Sequence, residues 1–212
     1  MRPANFSRAG LARSVGDALR IADGKIATAL REAVGSVDVV HGDGCLPDMV
    51  AKGVRAHMTP GELFIARRAI HIDVGHPQAR LSLVHEIGHA LDYYILGGNL
   101  DFASRAGAPD LQDWEHAVMA TAPIQVLKGM LGKKQVMVLE RGRPRRARVN
   151  RAVVSYLLRP EEIFARSYSQ YIAMTSRNER LLADVAAVQA TVSTCYPYFY
   201  WVMSPWWATK NG

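Results

Sequence analysis

The stretch LSLVHEIGHALDYY, residues 81–94, sets two histidines and one glutamate inside an otherwise apolar run. Residues four apart on a helix share one face, so His85 and His89 can direct both imidazoles at a single metal ion. Glu86 follows His85 directly, and in H-E-x-x-H sites this glutamate acts as general base on the metal-bound water. The stretch therefore predicts a metal site. The alternative is a core helix whose histidines are satisfied by hydrogen bonds.

The residues around this stretch predict a helix packed on a small sheet. The helical pattern runs from Pro77, which suits a first helical turn, to about Ile95, and Gly97 ends it. Runs with β-strand character precede it at residues 37–41 and 63–74. We expect an α+β fold in which these strands pack on the metal-binding helix. An extended substrate would add to the sheet edge along the strand before Pro77.

A catalytic zinc ion takes three protein ligands and keeps a fourth position open, so one more ligand is needed. The extended motif with a histidine six residues beyond His89 is excluded, because Ile95 stands there. The candidates farther along the chain are Glu161, Glu162, Glu115 and His116.

Helical phase separates the two neighbouring acids. Glu161 lies nearer to an aromatic stripe, whereas Glu162 shares a face with small residues that include Ala165 and Ala173. Small residues let two helices approach closely, and Gly88 offers a matching small position on the histidine helix. This favours Glu162 as the third ligand. The alternative is an exposed acid near a helix N-terminus, where the dipole favours it.

The segments HEIGHALDYY and RPEEIFARSYSQYIA resemble zincin-type metallopeptidase domains of the anthrax lethal factor group and of phage or mobile-element polyvalent proteins. The resemblance covers residues 81–95 and 155–173. It implies a zincin-like fold with a second ligand-bearing helix, a Zn²⁺ cofactor, His85, His89 and Glu162 as its ligands, and Glu86 as catalytic base. The separation of about seventy residues between His89 and Glu162 is long for the group and leaves room for an insertion.

The domains of this group often carry a tyrosine several residues before the third ligand, and its hydroxyl supports the oxyanion. The resemblance therefore implies such a tyrosine in this chain. Tyr156 stands in that neighbourhood, with a packed aromatic side chain as the alternative. Asp92 could orient a ligand histidine through its N–H, or could pair locally. We expect His71 and His76 to be structural, since histidines at strands and helix starts more often cap or pair than bind metal.

The formal charge of +7 is concentrated in GKKQVMVLERGRPRRARVNR, residues 132–151. The segment is typical of a solvated hairpin turning at residues 141–142 or of a mobile loop, and it could instead meet an acidic partner or nucleic acid phosphates. It carries no motif of a known nucleic-acid-binding module. We therefore expect a solvated hairpin or loop, with nucleic acid binding as the alternative.

Three segments are expected along the chain. Residues 1–36 form an N-terminal helical segment, residues 37–176 a zincin-like metallopeptidase domain with a basic insertion near 132–151, and residues 177–212 a helix with an aromatic tail packed on that domain. No run of eighteen apolar residues predicts a membrane span, and no signal-peptide core is present. Two cysteines are too few for a disulfide framework. We expect a cytoplasmic protein, or a virion-associated one if it originates from a phage.

These patterns lead to two functional hypotheses. The first is a zinc metallopeptidase acting on a protein or peptide substrate, with water activated by the metal and a glutamate general base. The second is a phage or mobile-element structural or interaction protein that retains a zincin fold with little or no turnover and binds virion or mobile-element proteins, since fold does not determine function.

Overall fold

The computed structural model describes residues 8–22, 38–41, 56–59, 69–72, 78–98, 100–140 and 143–195. Within these ranges the α-helices are α1 (Arg8–Ala22), α2 (Ala79–Ala90), α3 (Ala103–Ala106), α4 (Gln112–Met119), α5 (Ala122–Leu131), α6 (Arg151–Leu157), α7 (Pro160–Ser176) and α8 (Glu179–Cys195). The strands are β1 (Asp38–His41), β2 (Ala56–Thr59), β3 (Ala69–Ile72), β4 (Gln135–Glu140) and β5 (Arg143–Arg148). The protein is mostly helical with small sheets, which confirms the α+β class.

The first sheet has three strands in the order β1-β3-β2. Strand β3 pairs in parallel with β1, and antiparallel with β2, so that His71 lies opposite both Val40 and His57. Strands β1 and β3 lie within the two runs that the sequence predicts, whereas β2 was not predicted. Among the described strands β3 is central and its backbone groups are paired on both sides, so the expectation that a substrate adds along the strand before Pro77 is wrong for residues 69–72.

Helix α2 carries the histidines and lies at the centre of the fold. It continues as a π-helix over Leu91–Leu96 and ends at Gly97, close to the predicted end, while Pro77 lies outside the described residues. A Cβ on Gly97 would lie 1.8 Å from the carbonyl oxygen of Asp101, so only glycine fits this tight reversal. Helix α2 contacts β2, β3, α1, α7 and α8, and this packing on several sides explains why nearly all its residues are buried.

Helices α2 and α7 make the closest helix contact of the site. A Cβ on Gly88 would lie only 2.9 Å from the Cα of Ala165, so the glycine lets the backbones approach. Ala165, Ser169 and Ala173 are all buried, as the small-residue face of α7 predicts. Helix α7 begins at Pro160, whose missing N–H costs nothing in a first turn. The close approach of the two helices is therefore encoded by matching small residues.

One hydrophobic core extends from the first described helix to the last. Its most buried large side chains include Ile70, Val84, Ile163 and Ile172, and helix α1 contributes Val15. Helix α8 contributes Leu181 and Val185 to the same core. The three predicted segment boundaries stay a prediction, and the aromatic tail at 196–212 lies outside the described residues.

A buried ion pair fastens the start of α2 to α8. The Arg80 guanidinium donates through Nε and Nη2 to the two Asp184 carboxylate oxygens, at 3.1 and 2.8 Å. Both side chains are buried. Sequence patterns do not reveal such a pair, because its members are 104 residues apart.

The basic segment forms the second sheet, the antiparallel hairpin of β4 and β5. Glu140 lies opposite Arg143, so this segment forms a hairpin, as predicted, and the predicted turn residues lie outside the described part of the chain. Helices α5 and α6, which flank the hairpin, were not predicted. Among the described residues no helix has both the length and the apolar character needed to cross a membrane.

Candidate metal centre

Three side chains converge between α2 and the first turn of α7. The Nε2 atoms of His85 and His89 lie 3.6 and 3.5 Å from the two carboxylate oxygens of Glu162. The two imidazole rings are 4.8 Å apart and nearly perpendicular. One potential ligand atom from each residue lies within 4.8 Å of the others, so this group could hold a metal ion.

The spacing and the chemistry of the three donors fit a tetrahedral ion. Ligands that lie about 2 Å from a tetrahedral zinc ion are about 3.3 Å from one another. The two nitrogen-to-carboxylate distances, 3.6 and 3.5 Å, are close to that separation. Two imidazole nitrogens and one carboxylate oxygen are also a donor set that zinc accepts in proteins.

The three side chains are largely buried, and this burial shifts their pKa values. The side chains of His85, His89 and Glu162 are 18%, 10% and 7% exposed. Burial by itself raises the pKa of Glu162, but contacts from both histidines and the charge of Arg166 outweigh it and hold that pKa far below its usual range. Glu162 is therefore ionised at neutral pH.

The two histidines respond differently to this carboxylate. Burial lowers the pKa of His85 to about 4, only partly opposed by its hydrogen bond with Glu162. Burial also acts to lower the pKa of His89, but the hydrogen bond with Glu162 and the charge of Glu86 overcome it and raise that pKa above its usual value. A proton shared by the two histidines therefore resides on His89 in preference to His85.

Glu162, and not its neighbour, joins the histidines. Glu161 is also buried, but one of its oxygens lies 3.9 Å from the Arg105 guanidinium. Its other oxygen is buried without a hydrogen-bond partner among the described residues. Glu115 and His116, on α4, also lie outside the group formed by the described residues. Among the described residues Glu162, on the small-residue face of α7, is thus the acid that lies beside the histidines, and its role as a metal ligand stays a prediction.

Glu86 lies in the same buried region as the three candidate ligands. Its side chain is buried, and its negative charge raises the pKa of both His89 and Tyr156. A carboxylate whose charge acts on residues of two different helices lies near both of them. Its position is compatible with proton transfer at the site, and its role as general base stays a prediction.

Tyr156, in the last turn of α6, lies at the accessible side of the centre. Its side chain is 43% exposed, and the guanidinium groups of Arg159 and Arg166 lie 5.7 and 5.8 Å from its ring centre. Partial burial, followed by the charge of Glu162 and a hydrogen bond with it, raises the pKa of the Tyr156 hydroxyl. The phenol therefore remains protonated at neutral pH and can donate a hydrogen bond.

Sequence reasoning missed Arg166. It lies one helical turn after Glu162 and donates to the carboxylate at 2.8 Å and to the Glu162 carbonyl oxygen at 3.2 Å. The signal was present, because an acid followed by arginine four residues later on a helix is a favourable pair. Arg166 orients the carboxylate that faces the histidines.

Asp92 pairs locally, the second of its two predicted roles. It is fully buried and accepts hydrogen bonds from the backbone N–H and the hydroxyl of Ser104 at the start of α3. Burial raises its pKa in spite of these bonds. The Nδ1 atom of His89 is buried with no hydrogen-bond partner among the described residues. Asp92 thus anchors the chain after the π-helix.

Aromatic rings border one side of the centre. The Phe102 ring lies 5.8 Å from the His89 ring and 5.3 Å from the Tyr93 ring, both edge-to-face. Such contacts limit the orientations of the His89 imidazole. His71 lies in central strand β3, and His76 lies outside the described residues.

Comparison with protein-family models, with curated proteins and with solved structures found no match to this chain.

Proposed function

We propose that this protein is a zinc-dependent metallopeptidase of the zincin type. The observation that carries the proposal is the convergence of His85, His89 and Glu162, with the Glu86 carboxylate close enough to shift the pKa of His89. An H-E-x-x-H pair with a carboxylate third ligand and an adjacent glutamate is one of the arrangements that perform metal-assisted peptide hydrolysis.

Zinc is the proposed cofactor because two imidazole nitrogens and one carboxylate are borderline ligands that suit it better than calcium or magnesium. A bound zinc ion would polarise the scissile carbonyl and lower the pKa of water to about 7. His85 needs no deprotonation to bind it at neutral pH, because burial has already lowered its pKa to about 4.

The proposed chemistry divides between two side chains. Glu86 removes a proton from the attacking water and then delivers it to the leaving amine as the peptide bond breaks. Tyr156, whose pKa is raised, donates its hydroxyl hydrogen bond to the oxyanion that develops on the scissile carbonyl. Arg166 holds Glu162 in place and takes no part in proton transfer.

The substrate is proposed to be an extended protein or peptide segment. Strand β2 contacts α2 and lies at an edge of the three-stranded sheet among the described strands. An edge strand has backbone groups that can pair with an added strand, which holds a peptide in extended form. In this arrangement β2 replaces the central strand β3 as the docking edge.

The decisive variant is Glu86→Gln. It keeps the shape of the side chain but removes the base, so we expect zinc content to remain and hydrolysis of a peptide library to fall by about 10²–10⁴-fold. Glu179→Gln, an exposed acid at the start of α8, is the matched control and should keep full activity.

Two results would contradict the proposal. Cleavage by Glu86→Gln at the parent rate would remove the general-base role. Bound zinc without cleavage by the parent, in a large stable assembly, would support the alternative of a phage or mobile-element interaction protein.

A further inference from the structure

The positive charge of this chain belongs to one structural unit. Residues 132–151 contain eight lysines and arginines and one acid, Glu140, which amounts to a formal charge of +7. The whole chain also has a formal charge of +7, so the remaining residues are balanced. Because the rest of the chain has no net formal charge, the positive electrostatic potential of the protein is concentrated at this segment.

The hairpin of β4 and β5 presents two of these arginines, Arg146 and Arg148, on an outward face. Its register sets Gln135 opposite Arg148 and Met137 opposite Arg146, and all four residues are exposed. Successive residues of a strand point to opposite faces, so these four share one face. The alternate residue Val136 is partly buried against the core. The face that carries Arg146 and Arg148 is therefore turned to solvent, and Arg145 on the alternate face is exposed as well.

A groove of about 950 Å³ lies at the base of the hairpin. Four of its lining residues are cationic and exposed: Lys133, Lys134, Arg148 and Arg151. The other lining residues are uncharged, and no acid lines it. Arg148 belongs both to the groove and to the solvent face, so the two form one continuous surface.

The side chains of this surface indicate the class of ligand that it binds. Six of the eight cations in residues 132–151 are arginines, whose planar guanidinium groups bind phosphate in a bidentate manner. The segment contains no aromatic residue, so it offers no platform for stacking single-stranded bases.

We propose that the β4–β5 hairpin and the groove at its base bind the phosphate backbone of duplex nucleic acid. The binding is independent of sequence, because phosphate contacts carry no base information. It is a second activity of the chain, separate from the proposed metal centre, and it does not depend on hydrolysis.

Fluorescence anisotropy with labelled duplexes tests the proposal on the full chain. A random-sequence DNA duplex of 20 base pairs is titrated between 50 and 200 mM salt, alongside a double-stranded RNA, a single-stranded DNA and a polyglutamate peptide. With about five phosphate contacts, we expect log K to fall with a slope of about −4 to −5 against log salt. That slope corresponds to about a 500-fold loss of affinity over this range.

The double variant Arg146→Gln/Arg148→Gln should weaken duplex binding and reduce the magnitude of the slope by about 2. Arg177→Gln/Arg180→Gln removes the same charge from exposed positions outside the hairpin and is the matched control, with an unchanged slope.

Any of three results would overturn the proposal: no duplex binding by the parent at 50 mM salt, an unchanged slope in the hairpin variant, or polyglutamate binding that equals or exceeds duplex binding. The last would assign the surface to an acidic protein partner. Stronger binding of the RNA than of the DNA duplex, or the reverse, identifies which nucleic acid the surface prefers and supports the proposal in either case.

Discussion

The candidate metal centre and the basic hairpin both concentrate charged side chains, but they do so in opposite environments. In the centre, one carboxylate faces two imidazoles and a guanidinium from within two packed helices. On the hairpin, side chains of like charge extend into water. The same kinds of charge therefore have very different energetic consequences in the two regions.

Burial is the cause of the difference. Charges removed from water must be matched by partners of defined geometry, and the loss of one partner leaves an uncompensated charge. Charges in water are screened and nearly independent of one another. The centre should thus respond sharply to single substitutions, whereas the hairpin should respond in small additive steps.

The largest effect is expected where the buried charges support the fold. Asp184→Ala leaves the Arg80 guanidinium buried without its carboxylate at the start of α2, so the free energy of unfolding should fall by about 3–5 kcal/mol. Urea unfolding followed by circular dichroism measures this. The double variant Arg80→Met/Asp184→Leu, which removes both charges, should recover much of the loss. A decrease below about 1 kcal/mol for Asp184→Ala would show that burial does not enforce pairing here.

The second effect compares two adjacent acids. Glu162→Gln removes a candidate ligand and should weaken zinc binding by more than the roughly 10–100-fold typical of an outer-shell change. Glu161→Gln makes the same chemical change one residue away, outside the group, and should leave zinc affinity close to that of the parent. Isothermal titration calorimetry measures both. Equal losses in the two variants would refute the assignment of Glu162.

The third effect is the pH dependence of zinc binding. His89 has a raised pKa and holds a proton near pH 6.5, whereas His85, with a pKa of about 4, and Glu162 do not. Zinc must displace that one proton, so affinity should rise about tenfold per pH unit until the pH passes the raised pKa of His89.

Calorimetry at pH 6.5 in buffers of different ionisation enthalpy counts the released protons. About one proton per zinc ion is expected, because only His89 carries one. Release of about two protons would mean that both histidines are protonated and that burial does not depress His85.

The smallest effect is expected on the hairpin. Arg146 is exposed and lies opposite Met137, so Arg146→Gln should change the free energy of unfolding by less than about 0.5 kcal/mol. Urea unfolding at low and high salt tests this. A loss above about 1 kcal/mol would remove the contrast between the two regions, since it would require a specific partner for this arginine.

The helices that carry the site were predictable because their patterns are local. The apolar spacing around His85 and His89, the stop at Gly97 and the start at Pro160 each depend on neighbouring residues. Even the choice of Glu162 followed from a local pattern, the small residues on one face of α7. The close approach of Gly88 to Ala165 is what that pattern implied.

Other features escaped prediction because they depend on partners distant in sequence. Strand β2 is four residues long and is recognised only through its pairing with β3. Strand β3 is paired on both sides and therefore offers no edge for docking. This depends on how the three strands assemble, which the sequence of β3 alone does not show. Helices α5 and α6 were not predicted, although the hairpin between them was.

The sequence by itself determined the histidine helix, the acid-bearing helix, the residues able to bind a metal and the hairpin that carries the charge. These follow from short-range periodicity and from the chemistry of side chains. Only the tertiary structure decided that Glu162 meets both imidazoles, that Arg166 and Tyr156 join it, and that Arg80 pairs with Asp184. The physical reason is that burial and distance set the energy of a charge, and both depend on residues far away along the chain.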